Sequence, residues 1–342
     1  MNEKPLLILD MDGVIVDVTG SYREVVRRSV LFYLSEVIGV RDLSDGSVSL
    51  ADVAAFKKSG GLNNDWELTY ELIDTVLGRY YDRENAQLVG RIRVLSEVEE
   101  DRELLSKCRS VLWASDRRSL ALLCETPLSR FNSAHRSSPH GRSPFLLNRG
   151  DVKSGNLVKR IFQELYLGKE LFVDTYGDNP LFYDGAGYII KETLIPQPEQ
   201  LEELGRCCVL AIATGRPFAE ASYALNRFGI TQMFAAVVTE DDVVEEEGRS
   251  GSPLRKPHPF MIKRCLESCG YTIHDSGFYM GDMPDDMIAG VRAKVVPLGF
   301  VYEGLDISVD ERAAHHQLLL QNGARRVFGN YGEILRFFGS AT

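Results

Sequence analysis

Three apolar runs in this chain end in residues able to handle protons, cations or anions. Leu6-Leu7-Ile8-Leu9 runs into Asp10-Met11-Asp12-Gly13, and Ala211-Ile212-Ala213 into Thr214-Gly215-Arg216-Pro217. Gly277-Phe278-Tyr279-Met280-Gly281 runs into Asp282-Met283-Pro284-Asp285-Asp286. A fourth stretch, Leu254-Arg255-Lys256-Pro257-His258-Pro259, sets a lysine just ahead of a helical pattern. The order is therefore acids, hydroxyl, lysine, acids. Carboxylates two residues apart can divide acid–base work between them or share a hard cation. A lysine beside them can neutralise charge that develops during a reaction.

The elements that would position these groups follow from the pattern of apolar residues. Buried strands of α/β proteins are near-continuous apolar runs, and ligands bind outside their carboxyl ends. Five runs fit that description: Leu6–Leu9, Val209–Ala213, Phe234–Thr239, Gly277–Gly281 and Val295–Phe300. Helical periodicity follows at Phe218–Phe228 and Pro259–Cys269. Gly323–Val327 and Tyr331–Phe338 suggest a last strand and a closing helix. Alternating strand and helix predicts an α/β fold with a doubly wound parallel sheet. Four of the five runs follow residue 205, whereas Ser21–Val37, Trp66–Tyr81 and Asn156–Tyr166 read as amphipathic helices. The simplest division is a core of residues 1–18 and 200–342 interrupted by a mostly helical insertion over 19–199. Two domains also suit 342 residues, because single cores stop growing near that size. Arg130–Arg149 reads as a long loop, and Glu240–Arg255 as an acidic surface connection. Asp285 and Asp286 read equally well as acids capping a helix that begins near Met287.

Composition narrows the classes of function. The chain is 44% hydrophobic and 26% charged with a net charge of −10, which disfavours nucleic acid and anionic membranes as partners. No apolar run approaches the length of a membrane span. The first run is too short, and too soon interrupted by Asp10 and Asp12, for a secretory signal. Six cysteines in a chain of this length are not a disulfide framework. Buried, reduced thiols and a cytoplasmic location are the expectation. No dinucleotide or P-loop glycine motif follows the first strand.

The four motifs, in this order, resemble those of the haloacid dehalogenase superfamily, in its branch of subfamily IA-like phosphatases and phosphomutases with a helical cap. The resemblance covers about residues 1–18 and 200–342; the insertion matches the cap in position and helical character. It implies an Mg²⁺-dependent phosphohydrolase acting on a small phosphorylated metabolite, such as a sugar or polyol phosphate. Asp10 would be the nucleophile of an aspartyl-phosphate intermediate. Asp12 would protonate the leaving oxygen and then take a proton from water. Mg²⁺ would be held by Asp10, the carbonyl of Asp12, Asp282 and Asp286, with Asp285 as the competing neighbour of Asp286. Thr214 and Gly215 would bond the phosphoryl oxygens, and Lys256 would hold Asp10 and balance the developing charge. An acid at position 12 argues for phosphoryl transfer over carbon–halogen cleavage, because a halide leaves without a proton.

In this branch the insertion chooses the substrate. Phe56-Lys57-Lys58-Ser59-Gly60-Gly61-Leu62-Asn63-Asn64-Asp65-Trp66-Glu67 offers Lys57, Lys58 and Asn63 as substrate contacts. The same stretch also reads as a helix start with a capping box at Asn64 and Glu67 and a core Trp66. Asp17–Ser21 and Tyr188–Pro196 would be the two crossings about which the cap opens. Two other readings stand beside the phosphatase: a phosphomutase of the β-phosphoglucomutase type, and a non-catalytic binding protein that keeps the fold. A homodimer is left open.

Overall fold

A computed structural model describes residues 4–37, 47–53, 65–66, 68–73, 151–154, 156–272 and 277–339. The chain divides into two compact units, residues 1–18 with 192–342, and residues 19–191. The first unit therefore takes up the chain again at Glu192, eight residues before the boundary expected at 199/200. The reason is a short antiparallel pair: β2 (Val16–Asp17) joins β3 (Thr193–Leu194), with Val16 opposite Leu194 and Asp17 opposite Thr193.

The first unit is built on β1 (Leu6–Leu9), β4 (Val209–Ala213), β5 (Ala236–Val238), β6 (Gly277–Gly281), β7 (Val296–Phe300) and β8 (Arg326–Phe328). They form a six-stranded sheet in the order β5-β4-β1-β6-β7-β8, every pair parallel. Its helices are α3 (Pro198–Cys207), α4 (Phe218–Arg227), α5 (Glu240–Ser250), α6 (Phe260–Ser268), α7 (Pro284–Ala293), α8 (Val309–Gln321) and α9 (Tyr331–Gly339). The predicted doubly wound α/β architecture is thus the observed one.

The four residues of β1 are fully buried because side chains alternate between two faces that are both covered. Leu7 and Leu9 enter a core with Leu201 and Leu204 of α3, Leu225 of α4 and Ile334 of α9. Leu6 and Ile8 enter another with Val243 of α5, Met261 and Cys265 of α6 and Ala289 of α7. Each such leucine or isoleucine contributes about 2 kcal/mol of burial. The chain leaves β1 in both directions, through β4 to β5 and through β6 to β7, so the carboxyl end of β1 is a topological switch point.

One expectation is corrected in part: the acidic stretch after Thr239 is surface, as expected, but helical. Residues 240–250 are not a connecting loop but α5. Asp242 accepts from the backbone N–H of Thr239 at 2.8 Å, and three acids occupy the first turn, where the helix dipole favours them. Gly251 closes the helix in the left-handed conformation, at φ +67°. The cue was present in the sequence as Thr239 followed three residues later by Asp242, hidden by a helix with one buried residue, Val243.

The second unit contains α1 (Tyr22–Phe32), continued by a π turn over Tyr33–Val37, and α2 (Leu157–Tyr176). Asn156 caps α2, its Oδ1 accepting from Lys159 N–H at 3.0 Å. Tyr22 of α1 stacks on Tyr166 of α2 with ring centroids 4.3 Å apart. The helix outruns the predicted Tyr166 by ten residues and is kinked at Gly168, φ +71°. A Cβ at Gly168 would collide with the backbone of Gly187. Buried Glu164 anchors the following loop, accepting from the N–H groups of Leu181, Phe182 and Tyr183. Residues 68–73 are helical, in keeping with the start of the predicted Trp66–Tyr81 helix, and Trp66 is half-buried. Residues 74–81 and the Arg130–Arg149 stretch lie outside the described residues.

Candidate active site

Strand register brings the predicted groups to one edge of the sheet. Leu9 lies opposite Ile212 of β4 and Met280 of β6, so Asp10 is level with Ala213 and Gly281. Asp10 N–H donates to the Met280 carbonyl at 2.8 Å, which extends the ladder by one residue and fixes where the side chain starts. Thr214 and Asp282 follow one step further along the neighbouring strands. Gly13 then turns the chain back, at φ +74°. A Cβ there would collide with the carboxylate of Asp282, so glycine is needed for both conformation and space.

The acids and the lysine meet. Lys256 Nζ lies 2.9 Å from Oδ1 of Asp10 and 2.9 Å from Oδ1 of Asp286. Tyr279 OH donates to the same Asp286 oxygen at 2.8 Å, and Met283 N–H donates to Oδ2 at 3.0 Å. Asp286 is therefore the member of the Asp285–Asp286 pair that enters the site. It also fills the capping role considered from sequence, as the third residue of α7. That helix begins at Pro284, not near Met287. A Cβ at Gly281 would strike Asp286, so this glycine too makes room for a carboxylate. Oδ2 of Asp10 has no hydrogen-bond partner among the described residues.

Burial raises the Asp10 carboxyl to about 7, reinforced by Asp286 and Asp12 and opposed by Lys256. Burial would lower the Lys256 ammonium, but Asp10 and Asp286 outweigh it and hold it above its ordinary value. Tyr279 is pushed well above its ordinary value by burial and by Asp286, and stays a donor.

Carboxylate oxygens of Asp10, Asp282 and Asp286 all lie within 4.8 Å of one another. Three hard oxygen donors, with two glycines holding space for their side chains, suit a small divalent cation. The excess of negative charge that lifts Asp10 is what such a cation would relieve. His315 Nε2 lies 2.7 Å from the Asp282 carbonyl and braces the strand end that carries this acid.

The remaining predicted groups are arranged as follows. Thr214 is buried, and its Oγ1 accepts from Arg216 N–H at 3.2 Å, so its hydroxyl hydrogen remains available to an anion. Gly215 is exposed, with open space where a Cβ would be. Asp12 Oδ1 accepts from Arg216 Nε at 2.7 Å. Lys57, Lys58 and Asn63 lie outside the described residues, as do Cys108 and Cys124. Cys207, Cys208, Cys265 and Cys269 form no disulfide. Burial raises Cys208 to about 12, and Cys265 Sγ donates to the Ile212 carbonyl at 3.2 Å, which suits reduced thiols.

Sequence reading missed Tyr279, Arg216, Glu192 and His315. Arg216 stands inside the run that supplies Thr214, but nothing local reveals that it turns toward Asp12. Tyr279 is an ordinary buried strand residue until the fold sets Asp286 beside it.

A model of haloacid dehalogenase-like hydrolases matches residues 195–299, which span β4, β5, β6 and most of β7. No curated protein matches the chain. Among solved structures, a structural-genomics target aligns over 98% of this chain and 99% of its own, at 20% identity and a TM-score of 0.65. A phosphatase from Thermococcus thioreducens aligns over 92% of this chain and 98% of its own, at 19% identity and a TM-score of 0.50. At such identities these two likenesses concern the fold; the match over 195–299 is the likeness to a family. With Asp10 at the end of the central strand and Lys256, Asp282 and Asp286 gathered around it, the α/β unit of this protein is similar over residues 195–299 to the haloacid dehalogenase-like hydrolases.

Proposed function

We propose that the protein is an Mg²⁺-dependent phosphatase that hydrolyses a small phosphorylated metabolite through an aspartyl-phosphate on Asp10. The observation that carries this reading is the position of Lys256, 2.9 Å from both Asp10 and Asp286. It fixes one oxygen of Asp10 beside a permanent positive charge and leaves the other without a partner. Phosphate monoesters are among the slowest esters to hydrolyse, and a carboxylate nucleophile divides the reaction into two easier displacements. The name of the Thermococcus protein, a phosphatase, is in keeping with this reading.

Asp10 attacks phosphorus while Asp12 gives a proton to the departing oxygen; Asp12 then takes one from the water that releases phosphate. Thr214 Oγ1 and Gly215 N–H bond the phosphoryl oxygens, and Lys256 balances the charge that grows there. Asp10, the Asp12 carbonyl, Asp282 and Asp286 would hold the metal. When bound, Mg²⁺ supplies positive charge that lets an anionic ester approach a set of carboxylates. Lys57, Lys58 and Asn63 are proposed to contact the rest of the substrate. The four thiols that form no disulfide agree with a cytoplasmic enzyme.

Phosphate release from p-nitrophenyl phosphate tests the reading, followed by a panel of phosphorylated metabolites. Activity is expected with Mg²⁺, and its loss with chelator and in Asp10→Asn. Full activity in that variant, or indifference to chelator, overturns the mechanism.

A further inference from the structure

The Arg216 guanidinium lies between two carboxylates that are far apart in the chain. Nε donates to Oδ1 of Asp12 at 2.7 Å, and Nη2 pairs with the same oxygen. Nη1 and Nη2 reach the two oxygens of Glu192 at 3.0 and 3.1 Å. The side chain of Arg216 is 1% exposed and that of Glu192 0%. Glu192 is the first residue of the α/β unit after the inserted one, and its carbonyl accepts from Arg227 Nη1 at 3.0 Å. A guanidinium is a rigid planar fork, so once Glu192 holds one side, the direction of its Nε edge is set.

Stability alone is a weak reason for such an arrangement, because apolar side chains of similar size fill buried space at least as well. What apolar filling would not do is select between the two oxygens of Asp12. Arg216 takes Oδ1. Oδ2 has no hydrogen-bond partner among the described residues, and the Asp12 side chain is 35% exposed.

We propose that Arg216, braced by Glu192, is a positioning residue that pins Oδ1 of Asp12 and makes Oδ2 the oxygen that carries the proton. The inference rests on the phosphatase reading above. In the first displacement the bond from Asp10 to phosphorus forms and the bond from phosphorus to the leaving oxygen breaks. The proton on Oδ2 of Asp12 moves to that oxygen. In the second, water oxygen bonds to phosphorus, its proton passes to Oδ2, and the bond to Asp10 breaks, releasing inorganic phosphate. A carboxyl free to turn would offer this oxygen only part of the time.

The test uses leaving groups that differ in their need for a proton. Phenolate leaves poorly without one, whereas 2,4-dinitrophenolate leaves unaided. In Arg216→Met, kcat/KM on phenyl phosphate, which reports the first displacement alone, is expected to fall about 100-fold, the scale of general acid catalysis, while kcat/KM on 2,4-dinitrophenyl phosphate changes far less; the second displacement is common to both esters and enters kcat alone. Arg216→Lys, which keeps the charge without the fork, is expected to give a smaller loss with the same leaving-group dependence. Equal loss of kcat/KM on both esters overturns the proposal and leaves Arg216 a packing residue. Should Arg216→Met fail to fold, Glu192→Gln keeps the shape and weakens the brace; it should steepen the leaving-group dependence, and an unchanged dependence overturns the proposal. A wild-type protein inactive on both esters overturns the phosphatase reading and this inference together, whereas active wild type with equal losses of kcat/KM overturns the inference alone.

Discussion

The nucleophile should cost the metal-free protein stability, and Asp10→Asn should recover part of that cost. Burial raises Asp10 from its ordinary 3.8 to about 7. A group raised in the folded state favours folding below its unfolded value, and this advantage is lost as pH climbs through the folded one. For Asp10 that window runs from about pH 4 to about pH 7. The full rise corresponds to roughly 4 kcal/mol in the ionised form. Asparagine carries no charge and escapes this cost, in which the opposing attraction of Lys256 is already included. Lys256 keeps its pair with Asp286 at 2.9 Å. The net expectation is a gain of up to about 4 kcal/mol for Asp10→Asn above pH 7, shrinking toward zero near pH 4. Denaturant unfolding in chelator across pH 4–8 measures it directly. An Asn variant less stable than wild type at pH 8, or a gap that does not change with pH, would refute the account of Asp10 as a desolvated anion.

Two further outcomes follow from the acid cluster. Mg²⁺ should raise the melting temperature of the wild-type protein, because a ligand that binds only the folded state stabilises it in proportion to the logarithm of its concentration; thermal shift against Mg²⁺ should be flattened in Asp282→Asn, whose carboxylate lies within 4.8 Å of the other two. Gly281→Ala should destabilise by about 1–3 kcal/mol, the usual cost of overpacking, because its Cβ would strike Asp286 while Lys256, Tyr279 and the Met283 N–H hold that carboxylate in place. Denaturant unfolding, together with phosphate release by the same variant, reads both effects.

How much of this could be read in advance depended on the distance over which each feature is specified. The strands were legible because a buried strand needs four or five apolar residues in succession, and Leu6–Leu9, Val209–Ala213 and Gly277–Gly281 supply them with the observed bounds. α5 was not, because a helix with a single buried residue has no apolar stripe. The choice between Asp285 and Asp286 was not legible either. Both are acids in the first turn of α7, and they differ only in the direction each faces, which depends on where the helix starts.

Residue type and order alone therefore determined that acids, a hydroxyl and a lysine end up at one sheet edge, since each sits at a strand end or just before a helix and parallel strands share one direction. Only the tertiary structure decided which atoms meet. Lys256 bridges Asp10 and Asp286 because β6 lies next to β1 in the sheet, although Lys256 and Asp10 are 246 residues apart in the chain. Arg216 joins Asp12 to Glu192 for the same reason: its partners lie 204 and 24 residues away, and a pairing over such spans is set by how the sheet and its flanking segments pack, which no local spacing encodes.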